Sequence, residues 1–189
     1  MTQGYRLTRR AALAGGLTAL AAPALAQDLT DTDTETARRN IAGFRAIRWQ
    51  DHFDSPGKTT LIADTRTRTL HYWNAEGTGH RVFPSSVPLT EELTKRGYTE
   101  VVRKKTGPDW TPTPSMVQRN PDLHYIPAGP DSPLGSHALY LSWPAYLIHG
   151  THDTRKIGRP SSDGCIGLYN EAIAELYEVV PIGAQVRII

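Results

Sequence analysis

IHGTHDTRKIGRPSSDGCIGLYN, residues 148–170, contains the only cysteine of a 189-residue chain, Cys165, and places His149 sixteen residues ahead of it. The thiolate is the nucleophilic form of cysteine, and a free thiol is barely ionised near neutrality, so a nearby imidazole that takes its proton is a common route to activation. His149 is the candidate base. Gly164, directly before the thiol, leaves the backbone open to a substrate carbonyl, and equally suits a tight turn with an unusual backbone angle. His149 and His152 would share a face on a helix, but Gly150-Thr151 and the surrounding β pattern disfavour one. No further Cys/His pair completes a site, so no metal is expected.

Working upstream, HALYLSWPAYLIHG (137–150) reads as two apolar β-runs broken by Pro144. Before it, GPDWTPTPSMVQRNPDL (107–123) carries four prolines and is expected to be a long surface loop with no regular strand or helix. Loops of that length often serve as lids or binding loops, which makes Trp110 a candidate substrate contact, with anchoring to the core as the alternative. A β-like run lies near Tyr98 to Arg103, and Arg103-Lys104-Lys105 reads as a solvated strand or turn end. Earlier still, TTLIADTRTRTLHYWNAEG (59–77) holds two short β-rich runs of an opening hairpin, with turn chemistry from Asn74 to Gly79.

Downstream of the thiol, Asn170 to Val180 is the one convincing helix. Asn170 is its expected cap, Glu171 suits the positive end, and Ile173, Leu176, Tyr177 and Val180 mark an apolar face. Pro181 and Gly183 stop it, and AQVRII (184–189) supplies a last strand. The result is a mainly β domain with one prominent helix after the cysteine.

Residues 1–26 read as an export segment: Arg6, Arg9 and Arg10, then an Ala- and Leu-rich stretch closing on Ala24-Leu25-Ala26. The Arg9-Arg10 pair resembles a twin-arginine signal, with a general secretory signal as the alternative. The stretch is too short and small-residued to favour a spanning helix, so no spanning segment is expected in the mature form. Residues 27–57 read as a polar tether followed by an adapter containing Ile41, Phe44, Ile47 and Trp49, ahead of the folded domain. The export segment holds three of the 21 Lys and Arg residues and none of the 19 Asp and Glu, so the remaining domain is close to neutral. That charge balance argues against a nucleic-acid partner. A lone thiol in an exported chain forms no internal disulfide and needs another explanation, either reactivity or an inert buried role.

The segment around Cys165 resembles the signature of the L,D-transpeptidase (YkuD-type) family, in which His-Gly precedes Ser-His-Gly-Cys, an aliphatic residue, usually Arg, and a nearby Asn. GPDWTPTP, PLGSHALYL, the IHGT turn, the Ile157-Gly158 step and the helix after Asn170 stand in the same order, so the resemblance covers roughly residues 58–189. It implies an L,D-transpeptidase-like β-sandwich or barrel and an enzyme of the periplasm that needs no cofactor. Cys165 would be the nucleophile and His149 its base, oriented by the backbone carbonyl of Gly150. N–H groups around Gly164 and Cys165 would hold the oxyanion.

The implied donor and acceptor are peptidoglycan stem peptides: a tetrapeptide stem is cut after its third residue, D-alanine leaves, and a 3→3 cross-link forms. Alternatives are 1→3 linkage, transfer to free D-amino acids or to an envelope lipoprotein, L,D-carboxypeptidase hydrolysis, and a non-catalytic wall-binding module. Ser162, Asp163, Trp110, Arg159 and Asn170 are the candidate substrate contacts. Two positions depart from the family pattern, Asp163 in place of His and Gly167 in place of Arg. If that arginine binds a substrate carboxylate, the cation must come from Arg155, Lys156 or Arg159. Asp163, two residues before the thiol, disfavours the thiolate unless Arg155, Arg159 or a histidine neutralises it, or its charge is used to hold an amine. Capping of the loop is the structural alternative for Asp163.

Overall fold

The computed structural model describes residues 45–189, with Met1 and Gly43. The export segment, the polar tether, Ile41 and Phe44 lie outside the described residues. Strands β1 (Thr60–Asp64) and β2 (Thr69–Trp73) pair antiparallel, from Thr60 opposite Trp73 to Asp64 opposite Thr69, as the opening hairpin. Buried Asp64 fixes the turn by accepting the N–H groups of Arg66 at 2.9 Å and Thr67 at 3.3 Å, a local carboxylate-to-backbone device.

The polar–apolar alternation of β2 suggests one wet face, yet all five of its residues are buried. The reason lies in the preceding segment. Ile47, with Trp49 and Phe53 beside it, packs over Ile62 and Trp73 on the outer face of the hairpin. On the same face, fully buried His71 bonds to Thr69 Oγ1 and His80 Nε2, both at 3.1 Å.

The remaining strands are β3 (His80–Pro84), β4 (Val87–Pro88), β5 (Gly97–Thr106), β6 (His137–Leu141), β7 (Leu147–His149), β8 (Pro160–Ser162), β9 (Ile166–Gly167) and β10 (Gln185–Ile188). Eight form one sheet in the order β3-β2-β1-β10-β5-β6-β7-β9, while β4 and β8 pair separately. A bridge between Ser86, just past β3, and Gly167 of β9 brings the two edges of the large sheet together. The sheet is therefore curled and closes around its core, with Leu61, Leu70, Val101, Leu139, Ile148 and Ile166 inside. Closure of this kind removes the exposed strand edges that would otherwise invite pairing with another chain.

The helix after the cysteine, α2 (Asn170–Val179), packs Ile173 and Leu176 into that core. Lys104 of β5 donates to the carbonyls of Tyr177 and Val180, the latter at 2.8 Å, and so meets both the unpaired carbonyls and the negative end of the helix. The basic run 103–105 thus lies inside a strand. Arg103 stacks 3.4 Å over the ring of Tyr140, and Lys105 pairs with Asp109.

Two expectations are corrected. The proline-rich loop does contain a helix, α1 (Pro114–Arg119), because Pro114 stands at the first helical positions, where its missing N–H costs nothing, and Thr113 caps it by accepting from Met116 N. Asn170 is not the cap of α2. Tyr169 takes that place without a side-chain bond, and the Asn170 amide oxygen accepts from Ser136 N at 3.0 Å instead. Among the described residues no helix is long and apolar enough to cross a membrane.

Candidate active site

Parallel pairing of β7 with β9 sets Ile148 beside Ile166 and His149 beside Gly167, so the histidine ends its strand next to the segment that carries the thiol. Cys165 and Gly167 are two apart in an extended run and share a face. His149 and Cys165 line one small cavity of ≈ 120 Å³ together with Ser86, Thr151 and Lys156.

Buried His149 donates its Nδ1–H to the Gly150 carbonyl at 2.5 Å. That bond assigns the tautomer, leaving Nε2 as the lone-pair nitrogen. Gly150 must lack a side chain, because a β-carbon there would lie 2.3 Å from Asn170 Oδ1. Asn170 therefore stands behind the His-Gly turn and does not line the cavity.

The thiol reaches the carbonyl of Ala145 at 3.5 Å. Ala145, at φ 61°, holds a left-handed conformation unusual for a residue with a β-carbon, and this turn between β6 and β7 aims its carbonyl at the sulfur. Burial pushes the Cys165 thiol up to about 11; the Leu147 N–H opposes the shift and the Asp163 charge adds to it. Burial also pulls His149 down to about 4, with the Gly150 bond opposing and the Lys156 charge adding. Both shifts favour the neutral forms of the two groups near pH 7.

The buried histidines carry a stability consequence. His71 is also held down to about 4, first by burial and then by the neighbouring His80. Since the folded pKa values of His71 and His149 lie below the ordinary 6.5, the unfolded chain binds protons that the folded one refuses as pH falls through 6.5 toward 4. Stability is therefore expected to fall across that window by up to about 1.4 kcal/mol per pH unit for each histidine. Urea midpoints at pH 7 and pH 5 measure this, and equal midpoints would contradict it.

The SSDGC turn is held from within: Ser162 Oγ donates to the Cys165 carbonyl at 2.6 Å and accepts from Gly164 N at 3.4 Å. Gly164 has φ 136°, and a β-carbon there would press within 3.3 Å of the Tyr146 ring. The Tyr146 ring is pinned in turn by its hydroxyl, which donates to the Leu93 carbonyl at 3.1 Å.

Asp163 is not neutralised by Arg155, Arg159 or a histidine. Its partner is Arg119 at 2.5 Å, from the end of α1, whereas Arg155 is engaged by Asp153 at 2.8 Å. A short helix inside the long loop carries this cation to the thiol turn, and nothing local to residues 148–170 announces it. Gly167 has its own reason. A β-carbon there would lie 2.3 Å from Ser86 Oγ, which occupies the space a side chain would need.

On the other side of Cys165 opens a larger cleft of ≈ 500 Å³, lined among others by Arg103, Trp110, Tyr140 and Leu147. Trp110, Met116 and Leu134 border both spaces. Trp110 also packs on the cluster of Leu134, Ala138 and Leu147, and its backbone pairs with Ile126, so it anchors the loop and faces the cleft at once. Arg159 lines neither space. His137 bonds to Ser136 Oγ at 3.0 Å and tilts against Tyr177, away from the thiol cavity. His152 is exposed, and among the described residues no three His, Cys, Asp or Glu side chains gather to hold a metal ion.

The chain is similar over nearly its whole length to an L,D-transpeptidase homologue of the ATP synthase subunits region (ORF 5) in Fuscovulum blasticum, with 64% identity over 97% of this chain and 98% of the other. It is 36% identical to the Escherichia coli K12 L,D-transpeptidase homologue ErfK/SrfK over 68% of this chain, and 46% identical to the K12 homologue YbiS over 48%. The chain covers only 43% and 31% of those two proteins. Among solved structures, an L,D-transpeptidase from Mycobacterium smegmatis matches the fold at TM-score 0.56 and 19% identity, covering 70% of this chain and 58% of that one. One from Stackebrandtia nassauensis matches at TM-score 0.52 and 16% identity, covering 85% and 67%. The family profile described as the L,D-transpeptidase catalytic domain matches residues 58–188, and with a curled β-sheet that sets a histidine beside a lone thiol, the chain belongs to the L,D-transpeptidase (YkuD) family.

Proposed function

We propose that the protein is an exported peptidoglycan L,D-transpeptidase that joins stem peptides by 3→3 cross-links through a thioester on Cys165. The observation that carries this reading is the His149–Gly150 bond, which leaves Nε2 as the proton-accepting nitrogen in the cavity shared with the thiol. Residues 1–26 direct export to the periplasm, 27–57 link that segment to the domain, and 58–189 perform the reaction.

In the first half-reaction the Cys165 sulfur attacks the carbonyl of the third stem residue as its proton passes to His149 Nε2. The oxyanion is held by N–H groups at Gly164 and Cys165, a type of contact worth about 100- to 1000-fold in rate per donor. His149 then protonates the leaving nitrogen, D-alanine departs, and a thioester remains. In the second half-reaction a side-chain amine of a neighbouring stem attacks the thioester, gives its proton to His149, and restores the thiol. The thioester conserves the energy of the broken amide, which suits a compartment without ATP.

The larger cleft accepts the stem, with Trp110 as a wall. Ser162 shapes the turn beneath the reacting carbonyl. Asp163, held by Arg119, ties the α1 loop to the thiol turn in place of the amine-holding role its position suggests.

Incubating the mature protein with disaccharide tetrapeptides and identifying products by mass spectrometry tests the reading. One D-alanine released per 3→3 linked dimer is expected. A dimer joined through the first stem residue, or tripeptide alone, would overturn the 3→3 assignment.

A further inference from the structure

The cavity on the His149 side of the thiol is lined by Lys156, a cation in no salt bridge among the described residues. Two charged side chains, Lys156 and Asp163, line this space. Asp163 is taken by Arg119, and nearby Arg155 is taken by Asp153. Among the described residues, half-buried Lys156 forms no salt bridge; its charge acts on His149 and, as a minor contribution beside Arg155, on Asp153. Its backbone is fixed on both sides, with its N–H on the Asp153 carbonyl at 3.2 Å and its carbonyl accepting from Ser161 Oγ at 3.2 Å. The other wall gives no room for a competing cation, since Ser86 Oγ fills the place of a side chain at Gly167. A half-buried cation on an anchored backbone, in no salt bridge and lining the same cavity as His149 and Cys165, is a binding element for an anion.

Which anion follows from the proton path. A nitrogen that receives a proton from His149, or gives one to it, must come within hydrogen-bond reach of Nε2. In an α-amino acid the carboxylate is attached to the same carbon as that nitrogen, so it must enter the same small cavity. We propose that Lys156 is a specificity residue that binds the α-carboxylate of the amino acid whose nitrogen is exchanged at the thioester. The inference rests on the thioester reading above. The same contact serves D-alanine as it leaves and the acceptor as it arrives, because the two occupy one place in opposite halves of the reaction. It selects acceptors whose amine neighbours a carboxylate, as in a free D-amino acid or the far stereocentre of a diaminopimelate side chain. A plain side-chain amine, such as that of lysine, is disfavoured.

The test compares acceptors that differ only in this carboxylate. One arm uses D-methionine against D-methioninamide. The other uses stems whose diaminopimelate side-chain carboxylate is free or amidated. The ratio of acceptor kcat/KM, carboxylate over amide, is measured after pre-acylation by a tetrapeptide. The wild type is expected to favour the carboxylate by about tenfold or more, the usual scale of a charge-assisted bond. The arm that shows the preference identifies the acceptor source. K156Q is expected to bring the ratio near one, K156R to restore it, and K156E to invert it.

Absence of a preference in both arms of the wild type would overturn the inference, as would a preference that persists in folded K156Q and K156E. Failure of the wild type to form any acyl-enzyme would instead overturn the thioester reading, and the inference with it.

Discussion

Cys165→Ser is expected to lower cross-linking turnover by about 10⁴-fold or more, since loss of a nucleophile removes the covalent route rather than slowing one step of it. The serine fits the space, so the loss is chemical. A hydroxyl is far harder to ionise than a thiol, and His149 has only the Gly150 carbonyl behind it, with no carboxylate to stabilise an imidazolium. Cys165→Ala should reduce turnover to background while the thermal transition stays cooperative, because the side chain lies partly exposed at the cavity wall outside the main core. Turnover of either variant within tenfold of wild type would assign the reaction to another group.

His149→Gln is expected to slow acylation by about 10²- to 10⁴-fold, the range associated with a positioned general base. Glutamine retains a polar side chain in the same pocket, which isolates the proton transfer from the packing. The pH profile separates a base from a spacer. With His149 pulled to about 4 and the thiol raised to about 11, wild-type kcat/KM should rise through an acid limb near pH 4 and hold across neutrality. The variant should lose that limb. Stopped-flow acylation by a carbapenem from pH 3 to 9 measures both, and an unchanged rate with the same acid limb would remove His149 from the mechanism.

Much of this arrangement was legible in the chain because it is written locally. The β1–β2 hairpin follows from its turn residues, and the apolar face Ile173, Leu176 and Val180 places α2 on the core. His149, Gly150, Gly164 and Cys165 lie within seventeen residues, so the thiol and a candidate base are in view in one short segment, while the expected roles of Gly150 and of the N–H groups at Gly164 and Cys165 come from the resemblance that segment carries. What the sequence hid depends on tertiary contacts. Arg119 meets Asp163 across forty-four positions because a capped turn of helix forms inside a proline-rich loop. Ser86 reaches Gly167 across eighty-one positions because the sheet curls until its edges meet.

Polar residues misled for related reasons. His71 has the period of a wet strand face, yet Ile47, Trp49 and Phe53 help cover that face from outside. Asn170 has the composition of a helix cap, but the tight glycine positions at Gly135 and Gly150 draw its amide to the backbone of Ser136. In each case the residue type was informative about hydrogen bonding, and the partner was set by packing from a distant segment.

The central claim, a thioester formed on Cys165 from a tetrapeptide stem, is tested most directly by intact-mass analysis of the protein quenched in acid during turnover. The predicted result is a mass increase equal to the donor minus one alanine, removed by hydroxylamine and mapped to the peptide that contains Cys165. A protein that consumes donor with no such adduct, or that carries it at any other residue, would contradict the account.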